Sequence, residues 1–375
     1  MAGRRRGSVT VAALAAGMVV LAGCGRASDE GSGNGGARAV PDAPAIPVSA
    51  TKNTSRVPGS DPVELAAGSA RAVYPGGGQR PPAIALADAG SWPAAVAAAS
   101  LMAPPLKAPL LLTDGGEVPD ATFQAIEELS PTTGKVLRLG TAGSPDGVET
   151  VAIGGGDPYT LAANVDAYRA RLTGRWSRSV VVAPVDSPAY AMPAAAWAAK
   201  SGDPVLFTAK DELPAATAGA IRSHGKPKIY LLGPASVVSG EVASQLEDLG
   251  SLTRIGGPNA AASAVAFARF SGSGFGWGIT DPGHGFQFAD PEQPAAAGAA
   301  APLAASGSYG PLLVINRDGS LPGVVREYLR DVRPGYSSDP VRGVYNRGWM
   351  IGGTDAVPAT TQAEIDGLLE IKPVR

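Results

Sequence analysis

Cysteine occurs once in this 375-residue chain and histidine twice. A single thiol cannot close an internal disulfide. Two separated imidazoles, His224 and His284, do not make the ligand spacing of a zinc or redox centre, so neither a metal nor a cofactor is expected. A G-x-S-x-G nucleophile elbow is also missing, which removes that route to acyl-transfer chemistry. Only 17% of residues are charged, the formal net charge is −2, and lysine is scarce. No block of basic residues marks a nucleic-acid surface, and no basic amphipathic helix marks a membrane-surface role. A chain so short of reactive groups is expected to bind rather than to catalyse.

The longest apolar run, Ser8 to Ala22, is too short and too interrupted for a membrane span, and it follows the basic cluster Arg4, Arg5 and Arg6. It ends in Leu21-Ala22-Gly23-Cys24, which resembles a bacterial lipobox. That resemblance implies cleavage before Cys24 and acylation of its thiol with a diacylglyceryl group. Two chains, each contributing roughly 0.8 kcal/mol per buried methylene, would hold the protein stably on a membrane where one would not. Losing the signal removes three arginines and leaves the mature chain mildly acidic. From Gly25 to about Thr54, Gly, Ser, Ala and Pro dominate; such a segment cannot bury enough apolar surface to order itself and reads as a tether. Gly31, Gly33 and Gly36 match G-x-G-x-x-G by spacing, but no strand precedes them, so the match is rejected.

The remaining chain writes one unit three times. A short apolar run recurs as Ala108–Thr113, Asp203–Thr208 and Gly310–Ile315, each followed by a helix start at Pro119, Pro214 or Pro322. A period near one hundred residues is too long for a solenoid and suits a small domain copied in tandem. In the second copy, β-branched runs alternate with alanine-rich helical segments: strands at Ser179–Val185, Pro204–Thr208, Lys228–Gly233 and Leu252–Gly257, helices at Met192–Gly202, Pro214–His224, Ser239–Gly250 and Ala261–Phe270. Strand and helix in alternation predict right-handed crossovers and parallel sheets covered by helices, an α/β Rossmann-like or flavodoxin-like unit. The expected divisions are 1–23 signal, 24–54 tether, and repeats over 55–149, 150–252 and 253–375.

The copies differ in detail. In the first, the link between Gly140 and Glu149 is too short for the third helix. In the third, GFGWGIT is read as the first strand, ITDPGHGFQFAD as an insertion, and the last strand and helix are missing. A counterpart of that missing piece stands upstream: Arg56–Tyr74 parallels Ala152–Tyr168 and Arg254–Phe270, so the N-terminal segment is expected to complete the third copy and close the three into a ring.

Ser91-Trp92-Pro93-Ala94-Ala95, the three apolar strands, the strand-end glycines, Ile153-Gly154-Gly155 with Asp157, Tyr159 and Thr160, and Ile255-Gly256-Gly257 resemble the cell-wall-binding type 2 repeat family of Gram-positive surface proteins. The likeness spans nearly all of Arg56–Ile371. It implies three Rossmann-like domains in a pseudo-threefold arrangement, non-covalent attachment to anionic wall polymers, and no catalysis. Two departures stand out: the acid of the family's F-P-D-A motif is replaced by Ala94 and Ala194, and its Arg-Tyr pair survives only as Pro158-Tyr159.

Candidate ligand contacts follow from the sheet class. Ligands of open α/β sheets bind at carboxyl strand ends, where helix N-termini favour anions. Gly140, Gly233, Gly257 and Gly353 stand at such ends, and Lys210, Arg254, Arg317 and Arg347 stand near strand ends as possible phosphate contacts. The competing reading is that the glycines permit turns and close packing and the cations are solvated surface charges. His284 with Asp281 and Asp290 offers an acid–base pairing, set against a plain loop histidine beside a Pro-Gly turn. Trp92, Trp197, Trp277 and Trp349 are weighed as sugar-stacking groups; for Trp197 and Trp349 the apolar context favours core packing.

The expected protein is a lipid-anchored surface protein on the extracytoplasmic membrane face. Its partners would be an anionic wall polymer, a peptidoglycan-associated glycan or a surface protein, and not nucleic acid. A transporter's solute-binding lipoprotein and a wall-modifying enzyme built on the third-copy insertion are the alternatives.

Overall fold

The computed structural model describes residues 50–57, 59–76 and 78–374. The expected signal, Cys24 and nearly all of the tether lie outside the described residues. The tether's last residues are held: Asn53 N donates to Asp366 Oδ1 at 2.7 Å, Asn53 Nδ2 to Asp366 O at 3.1 Å, and Lys52 pairs with Glu370.

Three four-stranded parallel sheets carry the fold. The chain enters through β1 (Thr54–Val57) and α1 (Pro62–Val73). The first sheet uses β2 (Ala83–Asp88), β3 (Leu110–Thr113), β4 (Lys135–Leu139) and β5 (Thr150–Ile153), with α2 (Trp92–Ala98), α3 (Asp120–Leu129) and α4 (Pro158–Thr173) between and after them. The second uses β6 (Ser179–Pro184), β7 (Val205–Thr208), β8 (Lys228–Leu232) and β9 (Ser251–Ile255), with α5 (Pro188–Ser201), α6 (Ala215–Ser223), α7 (Gly240–Leu249) and α8 (Ala260–Arg269). The third uses β10 (Gly285–Ala289), β11 (Leu312–Val314) and β13 (Arg347–Ile351), with α9 (Pro294–Ala304), α10 (Gly323–Asp331) and α11 (Ala359–Leu369). β12 (Gly335–Tyr336) and β14 (Lys372–Pro373) make a small separate ladder. As expected, no helix joins β4 to β5.

The sheet orders are β3-β2-β4-β5, β7-β6-β8-β9 and, read the same way, β11-β10-β13-β1. The fourth strand of the third sheet is thus the first strand of the chain, with Thr54 opposite Gly348 and Val57 opposite Ile351. Boundaries at 55, 150 and 253 would each part a strand from the sheet to which it is hydrogen-bonded. The joint at β1 is polar as well as laddered. Buried Arg56 donates from Nη1 to Gly352 O (2.7 Å) and Gly353 O (2.8 Å), and from Nη2 to Val357 O (2.7 Å) and Gln362 Oε1 (2.8 Å).

The helix after each fourth strand crosses to the next unit. α4 lies on β7 and α6, α8 on β11 and α10, and α1 on β3 and α3. Each starts the same way. Asp61, Asp157 and Asn259 cap the first turns, accepting from Val63 N and Glu64 N, Tyr159 N and Thr160 N, and Ala262 N. Inside, α2, α5 and α9 are apolar on every side and pack on one another, which is how a helix hydrophobic all round must sit. Small residues allow this approach: a Cβ on Gly298 would lie 2.5 Å from the carbonyl carbon of Ala95. Ala94 and Ala194, where the family motif carries an acid, are buried in these inner helices.

Two expectations change. α5 begins at Pro188, earlier than Met192, because Ser187-Pro188 supplies a helix start with proline in the first turn. More consequentially, the first strand of the third sheet is β10, inside the segment read as an insertion, and GFGWGIT is a loop. Gly274, Gly276 and Gly278 take φ of +82°, +95° and +61°, which a strand cannot accommodate. Phe275 of that loop stacks on Tyr230 with ring centroids 3.5 Å apart, and Trp277 meets Trp197 edge-on at 5.4 Å.

Candidate functional site

At the carboxyl ends, the third strand of each sheet runs into a left-handed glycine: Gly140 (φ +55°), Gly233 (φ +98°) and Gly352 (φ +118°). Gly352, not Gly353, is the counterpart of the other two. Gly140 N and Gly233 N still donate to Ile153 O and Ile255 O, at 2.9 and 2.8 Å, so the turn extends the ladder by one bond. Gly257 belongs to a different set with Gly59 and Gly155. A Cβ on any of the three would meet the following helix at 2.5–2.7 Å, so that helix already covers them.

Around Gly233 the chain closes on itself. Arg254 donates from Nη1 to Gly233 O (3.0 Å) and from Nη2 to Ser239 O (3.3 Å), and burial depresses its pKa. Lys210 N donates to Asp186 Oδ2 (3.0 Å), Lys210 O accepts from Ser239 N (2.9 Å), and the Lys210 side chain is exposed. The structure therefore brings together Lys210, Gly233 and Arg254. Arg254 repeats the part that Arg56 plays in the third sheet, where Gly353 is an acceptor.

Two clefts open at these ends. One of about 120 Å³ in the first unit lies between Asp88, Ser91, Gly140, Thr141 and the N-terminus of α4. Its Asp88 is engaged by Gly90 N (2.9 Å), Gly115 N (3.1 Å) and Thr141 Oγ1 (3.2 Å). The other, of about 590 Å³, spans the second and third units between Asp186, Tyr190, Asn259, Glu292 and Arg317. Arg317 is paired there with Glu292 at 2.8 Å. Arg347 lies elsewhere: it opens β13 at the amino end and donates from Nη1 to Lys52 O at 2.7 Å.

His284 is also at an amino end, immediately before β10. Its Nε2 is 3.5 Å from Oδ1 of a solvent-exposed Asp281, while Asp290 follows the far end of the same strand. The three do not converge: the acid–base pairing reduces to the long contact of His284 with an exposed Asp281, and Asp290 takes no part. Trp197 is buried and donates to Asp203 Oδ2 at 2.9 Å, and Trp349 is half-buried against the third core, in keeping with core packing. Among the described residues, no group of three His, Cys, Asp or Glu side chains could hold a metal ion, and no helix is long and apolar enough to cross a membrane.

Sequence reasoning missed the other end of the second sheet. A cavity of about 780 Å³ opens there between Asp166, Arg169, Thr173, Arg175, Trp176 and Arg178 on one side and Pro104, Ser201 and Gly202 on the other. Beneath it, His224 Nε2 meets Asp166 Oδ2 at 2.7 Å and His224 Nδ1 meets Ser177 O at 2.8 Å, with side chains 0% and 4% exposed. Burial works against the His224 cation, but the hydrogen bond and charge of Asp166 outweigh it and raise the imidazole above its usual range. The available signal was the run Gly174-Arg175-Trp176-Ser177-Arg178, basic residues around an aromatic one, whose tryptophan is the only one of the five not weighed.

Residues 152–243 match the family model described as Cell wall binding domain 2 (CWB2). Two solved structures share the fold. Cwp6 from Clostridium difficile has a TM-score of 0.66 and 14% identity over 85% of this chain and 48% of its own. Cwp8 from Clostridium difficile has a TM-score of 0.66 and 18% identity over 84% of this chain and 52% of its own. The chain thus spans about half the length of each. No curated protein matches it.

Proposed function

We propose that the chain is a non-catalytic, lipid-anchored surface protein that binds an anionic polymer of the cell wall. The observation that carries this reading is the CWB2 match over residues 152–243, set within a sheet order repeated three times. Three sheets of one order, linked cyclically, also count against a two-lobed solute-binding protein. His284 and Asp281 lie at the opposite end of β10 from Asp290, which counts against a wall-modifying enzyme built on all three. Cys24 supplies the anchor, and binding occurs outside the membrane.

Co-sedimentation of the soluble chain, begun after Cys24, with purified sacculi tests the wall reading. Retention should exceed that of serum albumin and fall when the sacculi are stripped of anionic polymer; retention no better than albumin would overturn it. Metabolic labelling with a palmitate analogue tests the anchor separately, with label expected on the full chain and absent from Cys24→Ser.

A further inference from the structure

We infer that the groove at the amino end of the second sheet, walled by Arg175, Trp176 and Arg178, is the subsite that takes the anionic groups of a sugar or polyol polymer. This rests on the reading that the chain binds a wall polymer, and it names where.

Four observations converge. The groove is long: the 780 Å³ cavity continues into a second of about 400 Å³ through shared Ser177, Arg178 and Ser201, and the second adds Lys200 and Lys228. An extended chain fits such a channel better than a compact solute does.

The charge is uneven. The two acids that line it are already engaged, Asp166 by His224 and Asp203 by Ser177 Oγ (2.6 Å) and Trp197 Nε1 (2.9 Å). Arg169 forms a fixed cationic wall, donating to Gly202 O (2.8 Å), Ala103 O (3.4 Å) and Pro104 O (3.1 Å). Arg175 and Arg178 are exposed, and among the described residues their side chains make no ion pair or hydrogen bond. Guanidinium groups of this kind match the geometry of phosphate and carboxylate oxygens.

An aromatic platform stands between those arginines. Trp176 is 37% exposed and lies against the buried His224 ring, centroids 5.0 Å apart. The indole is backed by the imidazole at a 58° tilt and is partly open to solvent, and its exposed part suits the apolar side of a sugar or polyol unit.

Finally, the support is particular to this unit. The positions of Asp166 in the other two crossing helices are Ala70 and Ala268, both fully buried. Burying an ion pair where alanine would pack is not a general route to stability. Here the pair fixes Ser177 through His224 Nδ1 and backs Trp176 through the imidazole ring. The counterpart approach to the first sheet carries Arg80, whose guanidinium is tied to Ser130 O (2.5 Å) and Ser130 Oγ (2.6 Å).

The test is calorimetric titration of the soluble chain, begun after Cys24, with two defined probes, a glycerol-phosphate oligomer and an oligogalacturonate, with a neutral N-acetylglucosamine oligomer as contrast. At least one anionic probe should bind, more weakly as salt rises, and the neutral one should not compete. Arg175→Gln with Arg178→Gln should weaken binding about tenfold, the equivalent of about 1.4 kcal/mol, with unchanged melting temperature. The charge-matched pair Arg330→Gln with Arg342→Gln should bind as the parent does. Which anionic probe binds tells phosphodiester from uronate polymers. No binding of either probe, or equal binding by the Arg175/Arg178 variant, overturns the groove. Sacculus retention by parent and variant alike would also overturn it while leaving wall binding intact. Failure of the parent on sacculi strikes the wall reading, and the titration still judges the groove.

Discussion

The two ends of the second sheet treat their arginines in opposite ways. At the carboxyl end, Arg254 is folded back on Gly233 O and Ser239 O, and Gly257 is roofed by α8. At the amino end, Arg169 is tied to carbonyls but Arg175 and Arg178 face open space beside an exposed tryptophan. The general preference for carboxyl ends comes from helix N-termini and loop glycines that leave donors unsatisfied. At Gly233 and Gly257 the chain has filled that role with its own groups, whereas the guanidiniums of Arg175 and Arg178 at the amino end remain unspent, which makes that end the candidate.

The contrast is broken most forcefully beneath the groove. Asp166→Ala leaves His224 buried without its carboxylate, and removing one partner of a buried pair costs about 3 kcal/mol. Urea denaturation should show that loss, and Asp166→Ala with His224→Leu should recover most of it, as the alanines at the equivalent positions imply. A single variant as stable as the parent would mean the pair supports nothing. Arg254→Met is the matching experiment at the other end. It removes two hydrogen bonds from a charged donor, for a loss of about 1.5 kcal/mol, and should leave sacculus retention unchanged once stability is allowed for. Retention lost at constant fold would return the site to the carboxyl end.

How far the sequence discloses this depends on the range of each interaction. The parallel sheets were legible because β-branched runs such as Ser179–Val185 and proline-led helices such as that after Pro214 are local patterns. Closure by Arg56–Tyr74 was legible too, since the segment repeats two others in which a glycine (Gly59, Gly155, Gly257) joins a strand end to a capped helix. The first strand of the third sheet was misread because GFGWGIT and GFQFA are equally apolar; the positive φ of Gly274, Gly276 and Gly278 is visible only in the folded chain. The groove was illegible for a different reason. Asp166 and His224 are 58 residues apart and meet only because α4 crosses to the second unit, a handover that no local pattern records.

The smallest effect is in the pH dependence of stability, and its sign follows from the pair. The folded His224 binds its proton more tightly than an unfolded histidine, because the Asp166 hydrogen bond and charge outweigh burial. Burial raises Asp166 against the opposing pull of His224 and Arg169, so the folded pair as a whole retains protons that the unfolded chain gives up. Asp203 adds to the upward shift of His224. Stability falls with pH wherever the folded state holds more protons. The His224 contribution should thus be complete below about pH 6.5, the ordinary histidine value, and should fade as pH rises through the higher folded value. Melting temperatures from pH 6 to pH 9 should decline more steeply in the parent than in the Asp166→Ala, His224→Leu variant, since other titrating groups are common to both. Parallel curves would mean that the imidazole beneath Trp176 carries no proton in this range, and that the groove draws its positive charge from arginine and lysine alone.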